Sequence, residues 1–258
     1  MTMRNITPLP LALLAAVLLA GPAPADYTDN PADFATEVVS YAAGEGVGNE
    51  WSPPYRTYDD ANTALGRPTV DTAADGSSGP PGTFVPVVPV QPAWRADEIV
   101  TVGAGGELVL AFEKPVYDDP DNPWGFDLIL FSNALQKVGF GQYWQNGDPT
   151  QTTLLNPGEG AVEGGEVAVS QDGQTWHVFP APKAEDFAAT LGRVYDPADP
   201  DGNAFSGNEW WSGPTDPTRP LDANYDDFED FGGYTVADIA TAYGQSAGGT
   251  AFDLAALN

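Results

Sequence analysis

Glycine and proline interrupt this chain about once every five residues, with 29 Gly and 25 Pro spread over 258 positions. Proline removes a backbone donor and breaks a helix interior, and glycine in a helix costs ~1 kcal/mol relative to alanine. Long helices are excluded by that density, and with only 18% of residues charged there is little material for solvated helices laced by ion pairs. Short strands joined by turns remain. The 42% of apolar residues, aromatics included, suffice to fill one large β core.

The charge is strongly one-sided. Nine Lys and Arg face 37 acids, 25 Asp and 12 Glu, for a formal net charge of −28. Nucleic acid and anionic membranes are poor partners for such a surface, because phosphate binding needs clustered cations. Aspartate outnumbers glutamate two to one, and Asp favours turns, caps and cation sites over helix interiors. A cationic partner is favoured, metal ions (a divalent cation) or basic polymers, with a simply solvated acidic surface as the alternative.

Near the N-terminus, Arg4 precedes the apolar run Leu9 to Ala20 and the small-residue site Ala23-Pro24-Ala25. This is the pattern of a secretory signal cleaved before Asp26. Residues 1–25 are therefore read as a signal peptide and 26–258 as a single β-sandwich domain, with the mature protein secreted or held at the cell surface. The apolar run is too short to anchor the chain across a bilayer, and no later segment replaces it. An exported protein without cysteine has no disulfides to staple it. Calcium bound by loop carboxylates would supply the missing staple, since binding only the folded state adds to its stability.

Several segments read as β structure. Glu37 to Tyr41 is a strand followed by the Gly-rich turn 44–48. Glu98 to Val102, the turn 103–106 and Glu107 to Phe112 form a hairpin. Phe126 to Phe131 is apolar at nearly every position and reads as a buried central strand. Glu166 to Ser170 and Thr175 to Phe179 flank Asp172-Gly173, where glycine supplies the positive φ of a tight hairpin. Residues 71–92 read as a long surface connection and 180–233 as mostly loop, with short helices over 59–65 and 236–242. The expected fold is all-β, an antiparallel sandwich of jelly-roll or discoidin-like type with long loops and one or two short helices.

A set of motifs carries a family resemblance: Val-Val-Ser-Tyr at 38–41, Ala-Leu-Gly-Arg-Pro-Thr at 64–69, the run 99–112, Asp-Asp-Pro-Asp-Asn-Pro-Trp-Gly-Phe-Asp-Leu-Ile-Leu-Phe-Ser-Asn-Ala at 118–134, Val-Ala-Val-Ser-Gln-Asp-Gly-Gln-Thr-Trp at 167–176, and Gly-Gly-Thr-Ala-Phe-Asp-Leu at 248–254. Together they resemble a group of bacterial secreted cell-surface proteins. The resemblance implies a discoidin-like or galactose-binding-like β-sandwich, often joined to a surface-sorting tail, and brings no catalytic residues to carry over. Members of that group continue past the Phe-Asp-Leu segment, so the domain is expected to be truncated at Asn258.

The densest chemistry lies in 118–127. Asp118, Asp119, Asp121, Asn122 and Asp127 are candidate calcium ligands, since calcium takes six to eight hard oxygen ligands and a loop shaped by Pro and Gly can converge them. A second acidic loop offers Asp196, Asp199, Asp201 and Asn203. It is not an EF-hand: with Gly202 at the sixth position, Pro197 falls at the first and Asn208 at the twelfth, where Asp and Glu are required. The lone His177 sits in a strand and makes any histidine-dependent mechanism rest on one residue. Ser170 to Trp176 approximates an Asp-box, a motif that stabilises hairpins. Trp51, Trp124, Trp144, Trp210 and Trp211 lie in polar segments where rings stack on sugars or cover the ends of a sandwich. Being adjacent, Trp210 and Trp211 face opposite sides if extended. These features combine into an exported calcium-binding β-sandwich with a cell-surface binding or structural role rather than an enzymatic one, its partner a polysaccharide or another surface protein. A secreted carbohydrate-active hydrolase using paired carboxylates is the competing class.

Overall fold

The computed structural model describes residues 30–48, 57–74, 76, 81–139, 148–161, 164–180, 188–198, 210–222, 225 and 228–257. Among them run twelve short strands and one α-helix, with single turns of 3-10 helix between. The strands are β1 (Ala35–Ala42), β2 (Asp71–Ala73), β3 (Phe84–Pro86), β4 (Glu107–Phe112), β5 (Leu128–Leu130), β6 (Leu135–Gln136), β7 (Gly160–Ala161), β8 (Ala168–Val169), β9 (His177–Val178), β10 (Arg193–Tyr195), β11 (Trp211–Pro214) and, after the helix α1 (Val236–Tyr243), β12 (Thr250–Phe252). They pair two by two and antiparallel: β1 with β4, β2 with β3, β5 with β12, β6 with β7, β8 with β9 and β10 with β11. The fold is mainly β, as the Gly and Pro density requires.

The core gathers around α1. Val236, Ala237, Ile239, Ala240 and Tyr243 are buried, an i, i+3, i+4, i+7 stripe that turns one face of the helix inward. Val88, Leu154, Leu191, Trp211, Leu221 and Phe231 complete the cluster. The helix starts where Thr235 and Asp238 form a capping box: Asp238 N–H donates to Thr235 Oγ1 at 3.2 Å and Thr235 N–H to Asp238 Oδ2 at 2.9 Å. It stops at Gly244, whose φ of 59° a residue with a Cβ adopts only under strain.

Four expectations need correction. The strand 107–112 does not form a hairpin with 98–102. It pairs with β1, some seventy residues earlier, with Val38 opposite Leu110 and Tyr41 opposite Leu108. The glycines of the 103–106 turn serve this long-range contact, because a Cβ on Gly106 would meet the carbonyl oxygens of Ala42 and Ala43 at 2.7 and 2.6 Å. The apolar segment 126–131 narrows to a three-residue strand that is half-buried, with Leu130 exposed, so it is not a central buried strand. Residues 71–92 are no surface connection: they hold β2 and β3 and bring Val85, Val87 and Val88 to 2% exposure or less. Lastly, 180–233 carries β10, β11 and the fully buried Leu191 and Trp211. In the last two cases dense Pro and Gly mark short strands and close turns inside the core, which period counting assigns to loop.

Polar anchors hold these short strands where hydrogen-bond ladders are brief. Arg193 on β10 makes a two-pronged ion pair with Asp71 on β2, Nε to Oδ1 and Nη2 to Oδ2, both 2.7 Å, and also donates from Nη1 to the Ser212 carbonyl. The planar guanidinium thus ties β2, β10 and β11 together in a geometry that lysine cannot reproduce. Glu98 plays a similar part: its Oε2 accepts from Thr72 Oγ1 at 2.7 Å and from the backbone N–H groups of Trp94 and Arg95.

Candidate metal centre

The loop 118–127 folds back on itself before entering β5. Asn122 N–H donates to the Asp119 carbonyl and Gly125 N–H to the Asn122 carbonyl, closing two successive turns. Trp124 then adopts φ 61°, ψ 9° and Gly125 φ 73°, a left-handed pair that reverses the chain toward Asp127. For tryptophan this conformation is strained, and the residue is 56% exposed.

Asp127 organises the result. Its Oδ1 accepts from Asp119 N–H at 2.9 Å and from Asn122 Nδ2 at 3.0 Å, and its Oδ2 accepts from Leu254 N–H at 2.9 Å. Its own N–H donates to the Phe252 carbonyl at 2.8 Å, extending the β5–β12 ladder in which Leu128 faces Phe252. That register brings Asp253 alongside. Asp118, Asp127 and Asp253 each present a carboxylate oxygen, and these lie within 4.8 Å of one another. Asp118 is exposed, whereas Asp127 and Asp253 are half-buried. Among the described residues this is the one group of three or more metal-capable side chains at that spacing.

Unit charges at about 4 to 5 Å repel by roughly 1 kcal/mol per pair in water and several-fold more at a protein surface. Three carboxylates held together are therefore costly unless a cation or full solvation relieves them. Their chemistry suits a hard divalent ion: all donors are oxygen, with neither the nitrogen nor the sulfur that zinc prefers. Asp127 Oδ1 already accepts two hydrogen bonds, which leaves the free lone pair of Oδ2 for a cation. Asp253 Oδ1 accepts from Ala255 N–H at 2.8 Å, leaving Oδ2 open.

The remaining expected ligands fall elsewhere. Asp119 and Asp121 are exposed and outside the triad; Asp119 Oδ1 accepts from Asp121 N–H at 3.0 Å. Asn122 orients Asp127 through its amide donor. Asp196 closes a turn, with Oδ1 accepting from Ala198 N–H at 2.9 Å, while Asp199, Asp201 and Asn203 lie outside the described residues. Asp253 is not among the candidates read from the sequence, although a signal is present there: Phe126-Asp127-Leu128 and Phe252-Asp253-Leu254 are the same tripeptide. Two equal strand ends paired antiparallel place their aspartates side by side.

Much of the aspartate bias has a different physical cause. Asp60, Asp119, Asp148, Asp196, Asp216 and Asp253 each accept the N–H of the residue two positions on, at 2.8 to 3.0 Å. After Asp119, Asp148, Asp196 and Asp216 the next residue is proline, which has no N–H, so the carboxylate takes the following donor and closes an Asx turn. Asp172 goes furthest. It accepts from the N–H groups of Thr175 at 2.7 Å and Gln174 at 2.8 Å and from the Ser170 and Thr175 hydroxyls, and these bonds hold its carboxyl down at about 2. With Gly173 at φ 68°, these bonds close the β8–β9 hairpin expected at Asp172-Gly173, but the strands shrink to two residues each and the connection widens to residues 170–176.

The aromatic and histidine expectations resolve plainly. Trp211 is fully buried and Trp210 is half-buried, its ring 6.4 Å from that of Tyr195 and nearly parallel to it. The adjacent tryptophans thus part to different environments. Trp51 and Trp144 lie outside the described residues. His177 is exposed on β9, opposite Val169. No helix among the described residues is long and apolar enough to cross a membrane. In comparisons with protein families, with curated proteins and with solved structures, nothing matches the chain.

Proposed function

We propose that this is an exported calcium-binding protein of the cell surface, with a binding or structural role, and that Asp118, Asp127 and Asp253 hold the ion. The observation that carries the reading is the convergence of three carboxylates from two distant parts of the chain at the end of one strand pair. Supporting it are the signal-like N-terminus, the absence of cysteine and the large acidic excess. The short antiparallel pairs fit a discoidin-like β-sandwich, in which an ion between the 118–127 loop and the end of β12 would do the work of a disulfide. A polysaccharide or another surface protein is the proposed partner. Three convergent carboxylates suit a cation that takes several oxygen ligands, whereas glycoside hydrolysis needs only two acting across a sugar ring.

Thermal melts of the secreted form test the reading. At a hundredfold excess of calcium over its dissociation constant, one site adds roughly 2.7 kcal/mol, or about 5 to 10 °C for a domain of this size. Identical melting temperatures in EDTA and in millimolar calcium would refute it. Magnesium should substitute poorly, because it demands stricter octahedral geometry and gives up its waters reluctantly.

A further inference from the structure

We draw no further inference here: the strongest candidate, the half-buried Tyr195–Trp210 ring pair at the rim of the core near Asp148 and Asp238, carries nothing because the rings pack on the core, each carboxylate closes its own turn or helix cap, and nothing in the structure shows what would cover that face.

Discussion

Asp127 and Asp118 stand in the same acidic triad but differ in what they do without a metal, and that difference can be measured. Truncating Asp127 to Ala removes a carboxylate that accepts three hydrogen bonds, two from its own loop and one from Leu254. Water can reach this half-buried group, so each bond is taken at about 1 kcal/mol rather than at the upper range for charged acceptors, giving roughly 3 kcal/mol. Asp118 is exposed and no described residue donates to its carboxylate, so in EDTA Asp118→Ala loses no hydrogen bond and relieves a like-charge repulsion, and it should match the parent or exceed it by about 1 kcal/mol. Those values apply in EDTA. In saturating calcium the parent gains about 2.7 kcal/mol at a hundredfold excess, and both variants should lose most of that gain. Urea unfolding of the three proteins, each with EDTA and with calcium, gives all six stabilities. A neutral Asp127→Ala in EDTA would refute the hydrogen-bonding account. A calcium increment left intact in Asp118→Ala would remove that residue from the site.

Three further outcomes follow from single features. The depressed carboxyl of Asp172 contributes stability that is fully present above its ordinary value of 3.8 and is lost as pH falls through about 2; Asp172→Asn should therefore flatten the pH dependence of melting between those values, and an unchanged acid profile would contradict the turn bonding. Trp124 is exposed at left-handed φ, so Trp124→Gly should raise stability by about 1 kcal/mol in EDTA; a loss of that size would mean that the ring packs on something that holds the loop. Gln91 is buried and, among the described residues, neither polar atom of its amide has a hydrogen-bond partner, so Gln91→Leu should be neutral or stabilising by about 1 kcal/mol in a chemical melt, and a cost above that would show the amide to be satisfied.

What the sequence made legible was what depends on neighbours along the chain. Asp172-Gly173 specifies its hairpin locally, because the carboxylate bonds donors two and three residues on and glycine supplies the positive φ. The Thr235–Asp238 cap and the apolar stripe of α1 are likewise contained within one helix, and its expected span of 236–242 differs from the observed one by a single residue. The pairing of β1 with β4 is not local. Val38 and Leu110 meet only because Gly103 and Gly106 allow two backbones to touch, and alternation within either strand is equally compatible with a hairpin to 98–102. Pro86 and the other prolines of 71–92 hid a buried segment for a related reason: Val88 packs into the cluster around α1, and Gly192, far along the chain, donates its N–H to the Val87 carbonyl. The candidate site divides in the same way. Asp118 and Asp127 belong to one loop and were legible together, whereas Asp253 joins them only through the β5–β12 register. Asp119 and Asp121 looked equivalent to them in composition, and what separates them is which carboxylates the turns point toward Asp127.

The claim that three separated aspartates form one calcium site is tested most directly by calorimetric titration of calcium into the parent and into Asp253→Asn, each stripped of metal beforehand. Asp253 lies over a hundred residues from the loop and Asn preserves its size and its turn to Ala255, so the fold should survive the change. The account predicts a saturable heat with a stoichiometry that includes one site in the parent and the loss of that site in Asp253→Asn. Equal calcium binding by both proteins, or none by the parent, would contradict it.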